Sequence, residues 1–176
     1  MKKLKKPFIL FITGISGSGK STMFKGLKKA SLGSNVEVHD IDEDGVPFGG
    51  RVPWRKYRVL NLFYEAIKKM GKGKSTVICG ISLPFEVIDS DYYKPGMRVY
   101  FLLLETSYQK FWERTAVRFE KRGEKTDPLK FKFNNKDLAV RLLNQASSIK
   151  NNFSVDSSKN SKQKVLKETI KIIQNL

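Results

Sequence analysis

One cysteine, one histidine, six prolines and no long apolar run bound what this chain of 176 residues can be. The single thiol, Cys79, cannot close an intrachain disulfide, and it follows Val77-Ile78 in an apolar run. It therefore reads as a small buried hydrophobe, at home in a reducing cytoplasm. The one histidine, His39, stands alone at the end of a strand-like run and is given no role. No membrane partner is expected. Met1-Lys2-Lys3-Leu4-Lys5-Lys6 has the charge of a signal-peptide start, but the apolar stretch behind it covers only residues 8–13 before glycines take over. That stretch reads as a first strand rather than an export signal.

Acidic residues are scarce as well, 17 against 34 basic ones, for a net charge of +17. Such an excess fits either a polyanionic partner or a lysine-rich surface. The 34 basic residues are 26 lysines and 8 arginines, whereas phosphate recognition favours arginine forks. No zinc-finger, recognition-helix or aromatic RNA-binding signature is present, so nucleic acid is a possible but not a favoured partner.

The hydrophobic content, 40 %, supplies a core for one domain spanning residues 1–176. The rest of the chain is organised around Gly14-Ile15-Ser16-Gly17-Ser18-Gly19-Lys20-Ser21-Thr22, which fits the template G-x-x-x-x-G-K-[ST]. Phe8-Ile9-Leu10-Phe11-Ile12 before it suits a buried parallel strand, and Met23, Phe24, Leu27 and Ala30 after it recur at helical spacing. Strand, glycine loop and helix in that order let backbone N–H groups converge on an anion at a helix N-terminus. Lys20 would then meet the β- and γ-phosphates of a nucleotide, and the Ser21 hydroxyl a Mg²⁺ ion.

Strand-like and helix-like runs alternate beyond the loop, which predicts an α/β fold with a five-stranded parallel sheet and helices on both faces. The expected strands after the first cover residues 36–39, 76–79, 99–104 and 153–156. Helices are expected from near Pro53 towards Met70, over 107–122, over 135–149 and at the C-terminus, with an irregular connection around Pro84 and Pro95-Gly96. Gly123 and the polar residues behind it mark a lid-like segment around 107–130.

Five of the 17 acidic residues crowd into 37–44. If residues 36–39 form a strand next to the first, Asp40 and Asp42 emerge beside the glycine loop, where open α/β sheets bind ligands. A carboxylate there can serve Mg²⁺ or accept a proton from an attacking hydroxyl, or it can simply belong to a polar turn at Asp44-Gly45. Arg114, Arg118 and Arg122 line one helix face, either towards a phosphoryl group or as a solvated face paired with Glu113, Glu120 and Glu124. Arg51, Arg55 and Arg58 follow the acidic cluster.

With these residues the chain resembles the P-loop nucleoside and nucleotide kinase superfamily, including shikimate, gluconate and adenylate kinases, over nearly its whole length. Gly14, Ser16, Gly17, Ser18, Gly19, Lys20, Ser21 and Thr22 match its Walker A loop, and Asp40-Ile41-Asp42 resembles the D-x-D after the second strand of shikimate-kinase-like enzymes. The resemblance implies ATP and Mg²⁺, with Ser21 and Asp42 serving the metal and Lys20, Asp40, Asp42, Arg114 and Arg118 the catalysis. It places acceptor binding at Arg51, Arg55 and Arg58, which suggest a small anionic acceptor. Residues 153–158 resemble the last strand and turn near the adenine. No acid follows the third strand, and Ile81-Ser82-Leu83-Pro84 lacks the adenylate kinase signature.

The implied activity is transfer of the ATP γ-phosphoryl group to a nucleotide, nucleoside or hydroxylated metabolite. A 5′-hydroxyl polynucleotide kinase and a nucleotide-binding switch without a small acceptor are the alternatives. For the switch, Asp42-Glu43-Asp44-Gly45 matches D-x-x-G, but it comes too early in the chain, and Asn134-Asn135-Lys136-Asp137 only approximates a guanine-reading N-K-x-D.

Overall fold

The computed structural model describes residues 6–45, 51–123 and 128–176, with the side chains at 51–52, 118–119, 122 and 128–135 outside the description. In chain order the elements are β1 (Ile9–Thr13), α1 (Lys20–Lys29), β2 (Val36–Asp40), α2 (Arg51–Gly71), β3 (Ser75–Cys79) and α3 (Pro84–Ile88). They continue with β4 (Val99–Glu105), α4 (Tyr108–Arg122), α5 (Pro128–Ser147), β5 (Asn152–Asp156) and α6 (Lys162–Asn175).

β1 and β3 are buried at every position, as strands flanked on both edges and covered on both faces must be. All five strands are parallel, in the order β2-β3-β1-β4-β5. The period of two along each strand sorts its side chains between two layers. On one face Leu10, Ile12, Val77, Leu102 and Leu104 pack with Met23 and Leu27 of α1 and Val165 and Ile173 of α6. On the other, Ile9, Phe11, Ile78 and Phe101 pack with Val59, Phe63 and Ala66 of α2 and Val87 of α3. There Phe11 stacks on Phe101 at 5.4 Å and meets the edge of Phe63 at 5.9 Å. A third cluster, of Ile15, Leu83, Leu103, Phe111, Leu142 and Ala146, anchors α4 and α5 at the carboxyl end of β4.

The strand pattern and the α/β class agree with the sequence, and three local expectations are corrected. β2 does not lie beside β1, because β3 intervenes. β2 carries Glu37 and His39 and is only partly buried, which suits an edge, whereas β3 is buried at every position and needs a neighbour on each side. The helix expected over 135–149 runs from Pro128 to Ser147, starting on the proline that fits a first helical turn. The connection around Pro84 contains α3, capped by the Glu86 side chain accepting from the Leu83 N–H at 3.2 Å. Among the described residues no helix is long and apolar enough to cross a membrane.

The edge strand is held by charge. Glu37 accepts from Lys69 at 2.6 Å and Lys74 at 2.9 Å, and these ammonium groups draw its carboxyl from 4.5 down to about 2. A carboxyl depressed by folding contributes stability that is full above its ordinary value and is lost as pH falls through the depressed one. Glu37→Gln should therefore lower the Tm at pH 7, through a loss of stability that solvent screening keeps to about 1 kcal/mol or less. The difference from wild type should close between pH 4.5 and 2 in thermal melts. A gap that stays constant with pH would mean that charge is not its cause.

Candidate functional site

The loop between β1 and α1 turns on glycines, one required by close approach and others by their backbone angles. At Gly14 a Cβ would lie 2.6 Å from Ser18 Oγ and 2.9 Å from the Leu104 carbonyl. Gly19 has φ 104°, a conformation that side chains disfavour, and serves as the N-cap of α1 without a capping oxygen. The first turn of α1 also holds no acid. The positive end of the helix dipole is thus left facing the space beyond the loop, as an anion site requires. Lys20 Nζ donates to the carbonyls of Gly14 at 2.8 Å and Ile15 at 2.7 Å, which places the ammonium over the loop itself.

Beyond the loop lies a cleft of about 350 Å³, walled by residues 16–23, Ile41, Asp42, Arg55, Ile81, Arg114 and the segment after β5. Asp42 reaches it although β3 separates β2 from β1. The turn after β2 leans across the end of β3, with the Ile41 N–H donating to the Cys79 carbonyl at 2.8 Å. Gly80 makes room for that crossing, since a Cβ there would sit 2.4 Å from Ile41 Cδ1.

The two carboxylates of the turn occupy different environments. Asp40 is 8 % exposed and its Oδ1 accepts from the Asp42 N–H at 2.9 Å, so it shapes the turn. Burial pushes its carboxyl above the ordinary range, against the opposing pull of the Asp42 N–H. Asp42 is exposed and lies on the cleft wall with Lys20, Ser21 and Thr22. Ser21 and Asp42 thus supply a hydroxyl and a carboxylate, hard oxygen donors suited to Mg²⁺. Among the described residues no cluster of three or more His, Cys, Asp or Glu side chains could hold a metal unaided. A magnesium ion here would take its remaining ligands from phosphates and water.

Arg114 bridges two carbonyls, donating from Nη1 to Gly17 at 3.0 Å and from Nη2 to Ser157 at 2.7 Å. It joins α4, the glycine loop and the turn after β5. The side chains of Arg118 and Arg51 lie outside the described residues. Arg55 stands on the cleft wall and pairs with Glu86, and Arg58 pairs with Asp44. Glu86, Asn160 and Lys162 are site or supporting residues that motif spacing does not single out. For Glu86 a signal exists in Leu83-Pro84-Phe85-Glu86, where an acid two residues after a proline marks a helix start.

A lysine-bearing glycine loop at the carboxyl end of the central strand, in a parallel sheet ordered β2-β3-β1-β4-β5, defines a P-loop kinase-like fold. No protein-family model matches the sequence, and no curated protein sequence matches it either. Solved structures do match. The chain is similar to a gluconokinase from Sinorhizobium meliloti 1021, with a TM-score of 0.61 and 16 % identity over 97 % of this chain and 94 % of that one. It is also similar to a deoxyadenosine kinase from M. mycoides, solved with dCMP and a flexible dCDP bound. That match has a TM-score of 0.59 and 13 % identity over 96 % of this chain and all of the other.

Proposed function

We propose that the protein is an ATP-dependent phosphotransferase that moves the γ-phosphoryl group to a hydroxyl of a small acceptor. The observation that carries this reading is the convergence of Lys20, Ser21 and Asp42 on one cleft at the N-terminus of α1. Phosphoryl transfer asks a protein chiefly for positioning and for balancing charge on the transferring group. Lys20 and the N–H groups of residues 14–22 bind the phosphates. Ser21 and Asp42 would hold Mg²⁺, which neutralises phosphate charge when bound. Asp42 orients the acceptor hydroxyl and takes its proton. Asp40 fixes the turn that presents Asp42. Arg114 holds the loop against α4, and Arg114 and Arg118 are the cations this reading assigns to the transferring phosphoryl group.

The chain acts as one domain, and the segment around 107–130 is given the role of a lid. The cytoplasm is the compartment that suits its buried single thiol.

An acceptor screen with ADP release as readout tests the proposal. It should include nucleosides, nucleoside monophosphates, neutral sugars, sugar acids and 5′-hydroxyl oligonucleotides. One class should stimulate ADP release well above the rate with ATP alone. ATP hydrolysis indifferent to every acceptor would remove the transferase reading and leave a nucleotide-binding switch.

A further inference from the structure

Both acceptor-side arginines whose side chains are described already have a carboxylate. Arg58 pairs with Asp44 at the surface, and Arg55 with Glu86 at the cleft. In the second pair Arg55 Nη1 donates to Glu86 Oε2 at 2.7 Å and to the Ile81 carbonyl at 2.9 Å, while Nη2 donates to Glu86 Oε1. The carboxylate is thus held end-on by both terminal nitrogens. The two side chains are only 17 % and 15 % exposed, so each charge is matched mainly by the other rather than by water.

A guanidinium has five N–H donors in a fixed fork, and this pairing uses three. Among the described residues nothing accepts from Nε or from the second Nη2–H. Nε keeps some contact with solvent rather than being sealed in without a partner. These two N–H groups point the same way along one edge, and Arg55 lies on the wall of the cleft.

We propose that Glu86 sets the charge class of the acceptor. By neutralising Arg55 it turns the open edge into a paired donor for two oxygens of an uncharged polyhydroxylated molecule, a sugar or a nucleoside, in place of the anionic acceptor that the three arginines suggest. A carboxylate or phosphate on that edge would find the positive charge already matched. It would also share the cleft with Asp42 and with the phosphates of ATP, which draw on Lys20 and the loop. A neutral diol gains both hydrogen bonds without that repulsion, and so specificity comes from what the site repels as much as from what it holds. The inference rests on the phosphotransferase reading for where the acceptor sits.

Calorimetry with ADP present tests it on matched pairs of neutral and anionic ligands: ribose and ribose 5-phosphate, glucose and gluconate, adenosine and AMP. Wild type should bind the neutral member of its preferred pair about tenfold or more tightly than the anionic one. Glu86→Gln keeps the shape and the oxygen that accepts from Leu83, but frees the charge of Arg55. It should shift the ratio about tenfold towards the anion. Arg55→Gln/Glu86→Gln removes both charges. It should weaken the neutral ligand while the preference stays neutral. A wild type that prefers the anion, a Glu86→Gln ratio equal to wild type, or no binding by any pair would overturn the proposal. A neutral ligand that binds as expected but does not stimulate ADP release would overturn the phosphotransferase reading alone.

Discussion

Lys20→Ala should reduce phosphoryl transfer by about 10³-fold or more while leaving the fold intact. The ammonium sits over the loop, bonded to the Gly14 and Ile15 carbonyls, and its side chain belongs to none of the three apolar clusters. Removing it therefore takes charge from the cleft and little packing from the body. The loop keeps its own supports, the Ser18 N–H to the Ile15 carbonyl at 3.2 Å and the Arg114 bond to Gly17. An unchanged circular-dichroism melt alongside lost ADP release is the expected pair of results. Full activity in this variant would sink the phosphotransferase assignment.

Asp42→Asn should lower kcat by about 10²- to 10⁴-fold, with nucleotide affinity changed only a few-fold. Asparagine keeps the side-chain shape on the cleft wall but can neither take a proton nor offer a negative charge to magnesium. Asp40→Asn is the control. Its Oδ1 can still accept from the residue-42 N–H, so the turn persists, and a buried carboxylate is exchanged for a neutral group. Steady-state kinetics on both variants separates them. If Asp40→Asn carries the loss in kcat while Asp42→Asn does not, the roles of the two carboxylates must be exchanged.

The glycine loop was legible because its chemistry is local. Gly14 and Gly19 are dictated by close approach and by a positive φ, and Lys20 stands at the fixed lysine position of the template G-x-x-x-x-G-K-[ST]. β1 and β4 were legible for a similar reason, since burial on both faces leaves apolar runs such as 8–12 and 99–104. Strand order was not, because parallel neighbours are joined by crossovers whose course is set by packing far from the strands themselves. The placement of β2 illustrates this. Asp42 reaches the cleft as the motif implies, yet it does so by way of Ile41 crossing Gly80, a contact between residues 39 positions apart in the chain. The Arg55–Glu86 pair joins residues 31 apart, and motif spacing recovers only its arginine. An arginine in isolation suggests a binding site for anions. Whether it remains one depends on the carboxylate that the fold brings beside it.

Cys79 ends β3 in the middle of the sheet, fully buried and in register with Ile12 on one side and Asp40 on the other. Burial, with the Asp40 charge behind it, pushes its thiol pKa up and suppresses the reactive thiolate. The chain thereby carries its own reporter of global opening. A thiol reagent reaches this single sulfur only in molecules whose central strands have parted, so the modification rate follows the population of opened molecules rather than the motions of surface segments. A nucleotide that binds the glycine loop stabilises those same strands, and slower labelling would register its occupancy at a residue that never touches it.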